Sequence, residues 1–308
     1  MTRHLLNITD LTADELVEVL AMSRVEPSKL GRPLTTSTGV AQGAALIFEK
    51  PSNRTRHSME MAVVQLGGHP VYTRGEEVGL DVREPVEDIG LIMSGYHGLV
   101  AARVFTHSVV ERLAAVCSVP VVNMLSDHSH PLQGLADVLT MVEEFGALAG
   151  RKVAYVGDYN NVARSLGEAT IMLGGEFALA CPAGYDASDV EITRLSALGA
   201  GAVTQSHDPI DAVRGAHAVH TDTWVSMGQE DEKPERLKIF GGYTVTESMM
   251  RLAASGSIFM HCLPAYRGYE VESAVIDGPQ SRIFPQGHNR LHSARGVMAF
   301  LIQNSKGG

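Results

Sequence analysis

The sequence predicts an α/β fold with two doubly wound parallel-sheet domains, a bridging helix between them and a C-terminal helix that returns to the first domain. Short apolar runs alternate with helical patterns along the chain, which is typical of strands joined by right-handed crossover helices. The 308 residues exceed what one hydrophobic core usually serves. We therefore expect a first domain at residues 1–147, with 288–308 packing back on it, and a second at 148–287.

The first domain is predicted to begin with a helix and to continue with four strands. The segment TADE is a capping box that opens a helix at Thr12, with Glu15 three residues later. The predicted strands are GAALIF, HPVYTR, GLVAARVF and VPVVNML. Helices are predicted between them at residues 53–66 and 85–96 and in SVVERLAAVC.

The second domain repeats this alternation. Its predicted strands are KVAYVG, FALACP, AVTQSH, AHAVHTDTW and SIFMHCLP, with helices near residues 162–173, 190–197 and 246–254. Between the two series, one helical face carries Leu132, Leu135, Ala136, Leu139 and Val142, which predicts the bridging helix. Residues 291–303 are again helical in pattern. Ligands of open α/β sheets bind beyond the carboxyl ends of the strands, so the loops there are the candidate sites.

Composition and charge narrow the class of function. The 35 acidic and 25 basic residues disfavour nucleic acid or an anionic membrane as a partner. Cys117, Cys181 and Cys262 lie far apart, so neither a disulfide framework nor a thiolate metal site is expected, and a reducing cytoplasm fits best. No apolar run is long enough for a membrane span, and the first residues lack a signal core.

The segment PSNRTR concentrates cationic and hydroxyl groups after a predicted strand. An apolar stripe indicates that a helix begins there, and it comprises Met59, Ala62, Val63 and Leu66. The N–H groups and positive dipole end of this helix, with the side chains of Ser52, Arg54 and Thr55, favour a phosphate. The alternative is an ordinary serine cap with its arginines on a solvated face.

Two further segments suggest contacts to polar substrates. In HSHPLQG, His130 and Gln133 can face one side across a helical turn, which suits a carbonyl oxygen and an NH2 group. In HTDTWVSMG, Asp222 can pair with an ammonium, with Ser226 and the Met227 backbone beside it. Taken alone, the first segment would pass as a cap with a surface amide, and the second as a turn.

The remaining candidates also have ordinary alternatives. VAYVGDYNN offers only Gly157 where a dinucleotide fingerprint needs several bare positions, so nicotinamide binding is disfavoured. His261 and Cys262 are neighbours on a strand and point to opposite faces, which disfavours a Cys–His nucleophile or a shared metal. A buried apolar Cys262 is the alternative. Arg103 and Arg290, taken alone, would be surface residues.

Taken in order, PSNRTR, HPLQ, GDYNN, DTWVSMG and HCLPA resemble the aspartate and ornithine carbamoyltransferase family over essentially the whole chain. DTWVSMG is similar to the segment by which the ornithine enzymes bind the α-amino end of their acceptor. The resemblance implies transfer of the carbamoyl group from carbamoyl phosphate to the δ-amine of L-ornithine, giving L-citrulline and phosphate. It also implies a cytoplasmic homotrimer or a multiple of trimers, which requires neither a metal nor an organic cofactor.

The resemblance assigns a role to each candidate residue. Carbamoyl phosphate is expected to contact Ser52, Asn53, Arg54, Thr55, Arg103, His130, Gln133, Leu263 and Arg290. Ornithine is expected to contact Asn161, Asp222, Ser226, Met227 and Cys262. The implied catalytic residues are Arg103 and His130, which polarise the carbonyl oxygen, and Cys262, which lies near the attacking amine.

Three positions depart from the family pattern. Asn53 replaces a Thr, Leu132 replaces a Cys, and Gly79 replaces a Gln that commonly reaches the phosphate site of a neighbouring subunit. Two alternatives therefore stay open: a related carbamoyltransferase that acts on putrescine or an N-acylated ornithine, and a catalytically inactive binding or regulatory relative. A nicotinamide oxidoreductase is the least favoured.

Overall fold

The chain folds into two compact units, each with its own parallel sheet. A computed structural model describes residues 2–226 and 228–305, with Glu230 described by its backbone only. One unit comprises residues 1–136 with 288–308, and the other comprises residues 137–287. The predicted fold of two parallel-sheet α/β domains is confirmed. Within the described residues, no helix is both long and apolar enough to cross a membrane.

The first unit is built on a four-stranded sheet. Its strands are β1 (Gly43–Phe48), β2 (His69–Arg74), β3 (His97–Arg103) and β4 (Val121–Leu125), in the spatial order β2-β1-β3-β4. Its helices are α1 (Ala13–Ser23), α2 (Asn53–Gln65), α3 (Gly75–Val78), α4 (Val86–Tyr96), α5 (His107–Val116) and α6 (Pro131–Phe145), whose last residues belong to the second unit. The predicted capping box is present, because Thr12 and Glu15 each accept the backbone N–H of the other.

The second unit is built on a five-stranded sheet. Its strands are β5 (Lys152–Val156), β6 (Glu176–Ala180), β7 (Ala202–Ser206), β8 (Ala218–Thr221) and β9 (Ile258–His261), in the order β7-β6-β5-β8-β9. Its helices are α7 (Asn161–Met172), α8 (Asp189–Ser196), α9 (Pro209–Val213), α10 (Lys233–Phe240), α11 (Glu247–Met250) and α12 (Ser273–Ile276). Helix α11 is shorter than the predicted helix at 246–254, since Leu252 and Ala254 bond instead to the backbone of Gly215 and Ala216.

The last helix, α13 (Ile283–Ser305), begins before the predicted residue 291. Pro285 lies in its first turn, where a missing backbone N–H costs nothing. Arg295 donates to the carbonyl oxygens of Ser23 and Val25, both at 2.9 Å. A Cβ at Gly296 would lie 2.8 Å from the backbone nitrogen of Ser23. The C-terminal helix therefore returns to α1 of the first unit, as predicted.

Parallel pairing places the carboxyl ends of neighbouring strands side by side. Phe48 of β1 is paired with Arg103 of β3, and Thr221 of β8 is paired with His261 of β9. The loop PSNRTR therefore leaves the first sheet beside Arg103. Asp222 and Cys262 leave the second sheet as neighbours, at the edge where ligands of α/β proteins bind.

Candidate active site

The loop after β1 forms the N-terminal cap of α2. Ser52 accepts the backbone N–H of Thr55 at 3.4 Å, and its hydroxyl lies 3.0 Å from the Thr55 hydroxyl. Thr55 is buried, whereas Asn53 and Arg54 are exposed on the first turn. This turn carries N–H groups without intrahelical partners and the positive end of a 13-residue helix. The arrangement suits an anion.

The second arginine of PSNRTR has a different environment. Arg56 donates to Glu60 at 2.9 Å, and its guanidinium lies 3.8 Å from the centre of the Tyr72 ring. Arg56 thus pairs with a glutamate of its own helix and packs against Tyr72 of β2. We therefore assign Arg56 no ligand, although the sequence places it two residues from Arg54.

Arg290 contacts three other residues of the predicted carbamoyl phosphate site. Its guanidinium donates to Gln133 Oε1 at 2.5 Å and to the Thr55 hydroxyl at 3.1 Å, and it lies 3.5 Å from His130 Nε2. All four side chains are buried. Helices α2, α6 and α13 of the first unit thus present polar groups to one another beside the N-terminus of α2.

His130 is held in its neutral form. Burial lowers its pKa well below the ordinary value, and the positive charges of Arg290 and Arg103 lower that pKa further. A neutral imidazole has one N–H to donate and one nitrogen to accept. Arg103, the last residue of β3, is itself 5% exposed. His130 and Arg103 can therefore both donate to a polarised carbonyl oxygen.

Sequence reasoning did not identify Lys50 as a site residue. Lys50 is half-buried and lies two residues before the cap Ser52, and burial and the nearby charge of Arg103 lower its pKa. Its ammonium lies 4.5 Å from the centre of the Phe105 ring. A lysine between a buried strand and a serine cap, as in FEKPS, is the local signal that could have identified it.

In the second unit, Asp222 lies between two hydrogen-bond donors. The Cys262 thiol donates to Asp222 Oδ1 at 3.0 Å, and the Asn160 amide donates to Oδ2 at 2.9 Å. Asp222 is 7% exposed. Asp222 and Cys262 are thus brought together, whereas Asn160 was not among the predicted site residues. The predicted Asn161 is the first residue of α7.

A buried arginine forms hydrogen bonds that hold the segment after Asp222 in place. Arg236 donates to Asp158 at 2.8 Å and to the Trp224 carbonyl at 2.9 Å. Burial raises the pKa of Asp158, while the bond to Arg236 opposes that rise. The backbone N–H of Ser226 donates to Gln229 at 3.0 Å. Met227, which was predicted to contact ornithine, lies outside the described residues.

Leu263 of HCLP lies in the second unit with an unusual backbone. Its φ of 59° is in the left-handed region that residues other than glycine rarely adopt. The Leu263 N–H donates to His261 Nδ1 at 2.9 Å, so His261 Nε2 carries the proton and donates to Glu270 at 3.2 Å. Backbone strain of this kind concentrates at functional sites.

The same hydrogen bonds argue against a metal. Ligand-type atoms of Asp222, His261 and Cys262 lie within 4.8 Å of one another. Both ring nitrogens of His261 are already used, one by Leu263 and one by Glu270. We therefore assign no metal to this group.

Gly79 has a local explanation. It ends α3 with a φ of 66°, and a Cβ there would lie 2.7 Å from the Cβ of Arg83. Only glycine adopts this conformation without strain. The turn thus accounts for glycine at the position where a glutamine was expected.

The two halves of the chain match two family models. The carbamoyl-P binding domain of aspartate/ornithine carbamoyltransferase matches residues 3–143, and the Asp/Orn binding domain matches residues 149–301. The chain belongs to the aspartate/ornithine carbamoyltransferase family.

Relatives within this carbamoyltransferase family are similar over most of their length. The ornithine carbamoyltransferase of Thermus thermophilus is 47% identical over 84% of this chain and 84% of its own. The structure of ornithine carbamoyltransferase from Pyrococcus furiosus has a TM-score of 0.90 and 41% identity, covering 97% of this chain and 96% of its own. An N-acetyl-L-ornithine transcarbamylase structure has a TM-score of 0.85 and 29% identity, covering 97% and 99%.

The family match and the compact units divide the last helix differently. Arg290 falls within the Asp/Orn binding domain match, at residues 149–301. Its side chain contacts Gln133 and Thr55 of the first unit. In this carbamoyltransferase, the part of the chain that matches the Asp/Orn binding domain therefore supplies a side chain that contacts residues of the carbamoyl-P binding domain match.

Proposed function

We propose that this carbamoyltransferase joins carbamoyl phosphate and L-ornithine to give L-citrulline and phosphate. The observation that carries the proposal is the buried Asp222 carboxylate, held by Asn160 and Cys262 in the unit matched by the Asp/Orn binding domain. A fixed negative charge suits the ammonium group of ornithine. The same charge would repel the second carboxylate of an aspartate acceptor.

The phosphate is proposed to bind at the N-terminus of α2. Ser52, Asn53 and Thr55 supply N–H and hydroxyl donors, and Arg54 adds a charged donor on the first turn. Arg103 at the end of β3 bonds the phosphate from the neighbouring strand. Asn53 retains the backbone donor of the Thr that it replaces, so this departure leaves the site functional.

The carbamoyl group is proposed to bind beside Arg290. Arg103, His130 and the Thr55 hydroxyl donate to the carbonyl oxygen, which becomes negative in the tetrahedral transition state. Because His130 is neutral, it adds a donor without a positive charge. Gln133, Arg290 and the Leu263 carbonyl contact the carbamoyl end and fix its orientation.

The acceptor is proposed to bind through its α-amino end. Asp222 pairs with the α-ammonium, and Asn161, Ser226 and Met227 supply further polar contacts. Cys262 lies beside the δ-amine, which must be neutral to attack, although the ordinary pKa of an alkyl ammonium is about 10.4. The δ-nitrogen bonds to the carbamoyl carbon, the carbon–oxygen bond to phosphate breaks, and the departing phosphate takes the amine proton.

The proposal extends to assembly and compartment. The enzyme acts in arginine metabolism as a cytoplasmic homotrimer or a multiple of trimers. Large apolar side chains are exposed on α2, β2 and α4 of the first unit, namely Met61, Val64, Val71, Leu91, Ile92 and Tyr96. Such residues support contact with a second copy, and three free cysteines suit a reducing compartment. Light scattering tests the assembly, since a particle of one 33.0 kDa chain would contradict it.

The function is tested by citrulline formation with purified protein and carbamoyl phosphate. L-Ornithine is compared with N-acetyl-L-ornithine, putrescine and L-aspartate as acceptors. We expect turnover with L-ornithine and strong loss with N-acetyl-L-ornithine, which lacks the α-ammonium that Asp222 pairs with. Preference for another acceptor would replace the proposed substrate. Tight binding of carbamoyl phosphate without turnover of any acceptor would favour a binding protein.

A further inference from the structure

Asn160 is fixed in one orientation by the helix that it caps. Its Oδ1 accepts the backbone N–H groups of Val162 at 2.9 Å and Ala163 at 3.0 Å. These partners only donate, so the oxygen must face α7 and the NH2 group must face the other way. The hydroxyl of the buried Tyr155 donates to the same oxygen at 3.3 Å. The amide has therefore no freedom to flip.

The NH2 group of Asn160 points at Asp222. It donates to Oδ2 at 2.9 Å, while the Cys262 thiol donates to Oδ1 at 3.0 Å. Donors on both oxygens set the plane of the carboxylate. Each oxygen keeps a further lone pair, which an ammonium can use. The direction from which Asp222 accepts a ligand is thus set by Asn160.

We propose that Asn160 is a positioning residue that orients Asp222 for the α-ammonium of the acceptor and thereby sets the KM for ornithine. The inference rests on the proposed function. A chain of contacts leads from the core to Asp222. Tyr155 stacks on His220 with ring centres 5.6 Å apart and donates a hydrogen bond to Asn160, and Asn160 donates one to Asp222. Of the two adjacent asparagines, the first acts through Asp222 and the second is the one expected to touch the ligand.

Two substitutions separate this role from simple capping. Asn160→Asp and Asn160→Ser both keep an oxygen for the N–H groups of α7, since Asp and Ser are good N-caps. In Asn160→Ser, the hydroxyl that caps α7 lies one bond closer to the backbone than the amide NH2 and cannot also reach Asp222, and Asn160→Asp places a second carboxylate there. Ser188→Ala is the matched control, because Ser188 caps α8 through Glu191 N–H at 3.3 Å.

Steady-state kinetics with ornithine and carbamoyl phosphate give the decisive readout. We expect the ornithine KM to rise roughly 10- to 100-fold in Asn160→Ser, the range for losing a hydrogen bond to a charged group. The rise should be larger in Asn160→Asp, because two carboxylates in contact cannot both ionise readily. The KM for carbamoyl phosphate should be unchanged. Ser188→Ala should alter neither constant.

The pH profile distinguishes positioning from a purely structural effect. On acidification, the carboxyl introduced by Asn160→Asp becomes protonated and can donate to Asp222, so its ornithine KM should approach that of the wild type. Asn160→Ser has no such group and should show no recovery. The other titratable groups around Asp222 are Asp158, Tyr155 and Cys262, and they are the same in all the variants.

The outcomes distinguish a failure of the positioning role of Asn160 from a failure of the proposed function. An active wild type with an ornithine KM that changes less than about twofold in both Asn160 variants would overturn the positioning role alone. Equal kinetic defects in Ser188→Ala would also overturn it. A wild type that makes no citrulline would overturn the proposed function and, with it, the acceptor role of Asn160.

Discussion

His130 should make the stability of the protein fall in mild acid. In the folded state, burial and the positive charges of Arg290 and Arg103 lower the pKa of this ring well below its ordinary value of about 6.5. The unfolded chain therefore binds a proton at a pH at which the folded chain does not. Unfolding is favoured wherever the unfolded state binds more protons. The free energy of unfolding is therefore unaffected by this ring above pH 6.5 and decreases as the pH falls below that value.

The magnitude follows from the linkage relation. Each pH unit between the two pKa values costs about 1.4 kcal/mol. Protonation of the unfolded chain alone sets the upper limit, which is about 2 kcal/mol between pH 7 and pH 5 for an unfolded pKa of about 6.5. Since His130 is only 5% exposed, solvent screening reduces this figure little.

Urea denaturation of the wild type and His130→Gln at pH 7, 6 and 5 measures the effect. Burial also lowers the pKa of three other histidines, His4, His97 and His217, but these are present in both proteins and cancel in the difference. We expect the wild type to lose more stability than His130→Gln between pH 7 and pH 5, by at most about 2 kcal/mol. His69→Gln, at an exposed position, is the control and should follow the wild type. Parallel pH dependences of the wild type and His130→Gln would refute the reasoning.

Three further predictions concern the ligands and the turn at Gly79. Arg54→Ala and Arg103→Ala should each lower kcat/KM for carbamoyl phosphate by roughly 100-fold or more, since each removes a charged donor, with circular dichroism unchanged; near-normal kinetics would remove either residue from the site. Asp222→Ala should raise the KM for ornithine while calorimetry shows unchanged carbamoyl phosphate binding, and an unaltered ornithine KM would exclude Asp222 as the ammonium partner. Gly79→Ala should destabilise the protein by about 1 kcal/mol, because the alanine Cβ meets Arg83 at a φ of 66°; an unchanged melting temperature would contradict this.

The alternation of apolar runs was sufficient to predict the sheets and most of the helices of two turns or more, but it missed α10. It failed for short helices such as α3 and α12, which span one turn and show no periodicity. It also placed the start of α13 too late, because Gly287 interrupts the apolar pattern although the helix continues through it. Tertiary packing decides such boundaries, and a local pattern does not contain it.

The site could be predicted only where a residue lies within a recognisable segment. Arg290 contacts Thr55 across 235 positions, so no local signal indicates that they meet. Leu132, which replaces the Cys of the family, is 1% exposed on α6 and takes part in packing. For the pair Asn160 and Asn161, the role of each depends on whether α7 begins one residue earlier or later. A sequence pattern does not define helix ends that finely.

The first unit is discontinuous in the chain, and this fixes the order in which it can be completed during synthesis. Residues 137–287 form a contiguous unit that can assemble its sheet while the ribosome is still adding the tail. Residues 288–308 follow the second unit in the chain, and they supply both Arg290 and the Arg295 contacts that bind α13 to Ser23. A nascent chain that ends before residue 288 therefore lacks both the contacts of Arg295 with Ser23 and the contacts of Arg290 with Gln133 and Thr55. On the proposed function, we therefore expect carbamoyl phosphate binding only after the ribosome has added the residues of α13 that follow residue 287.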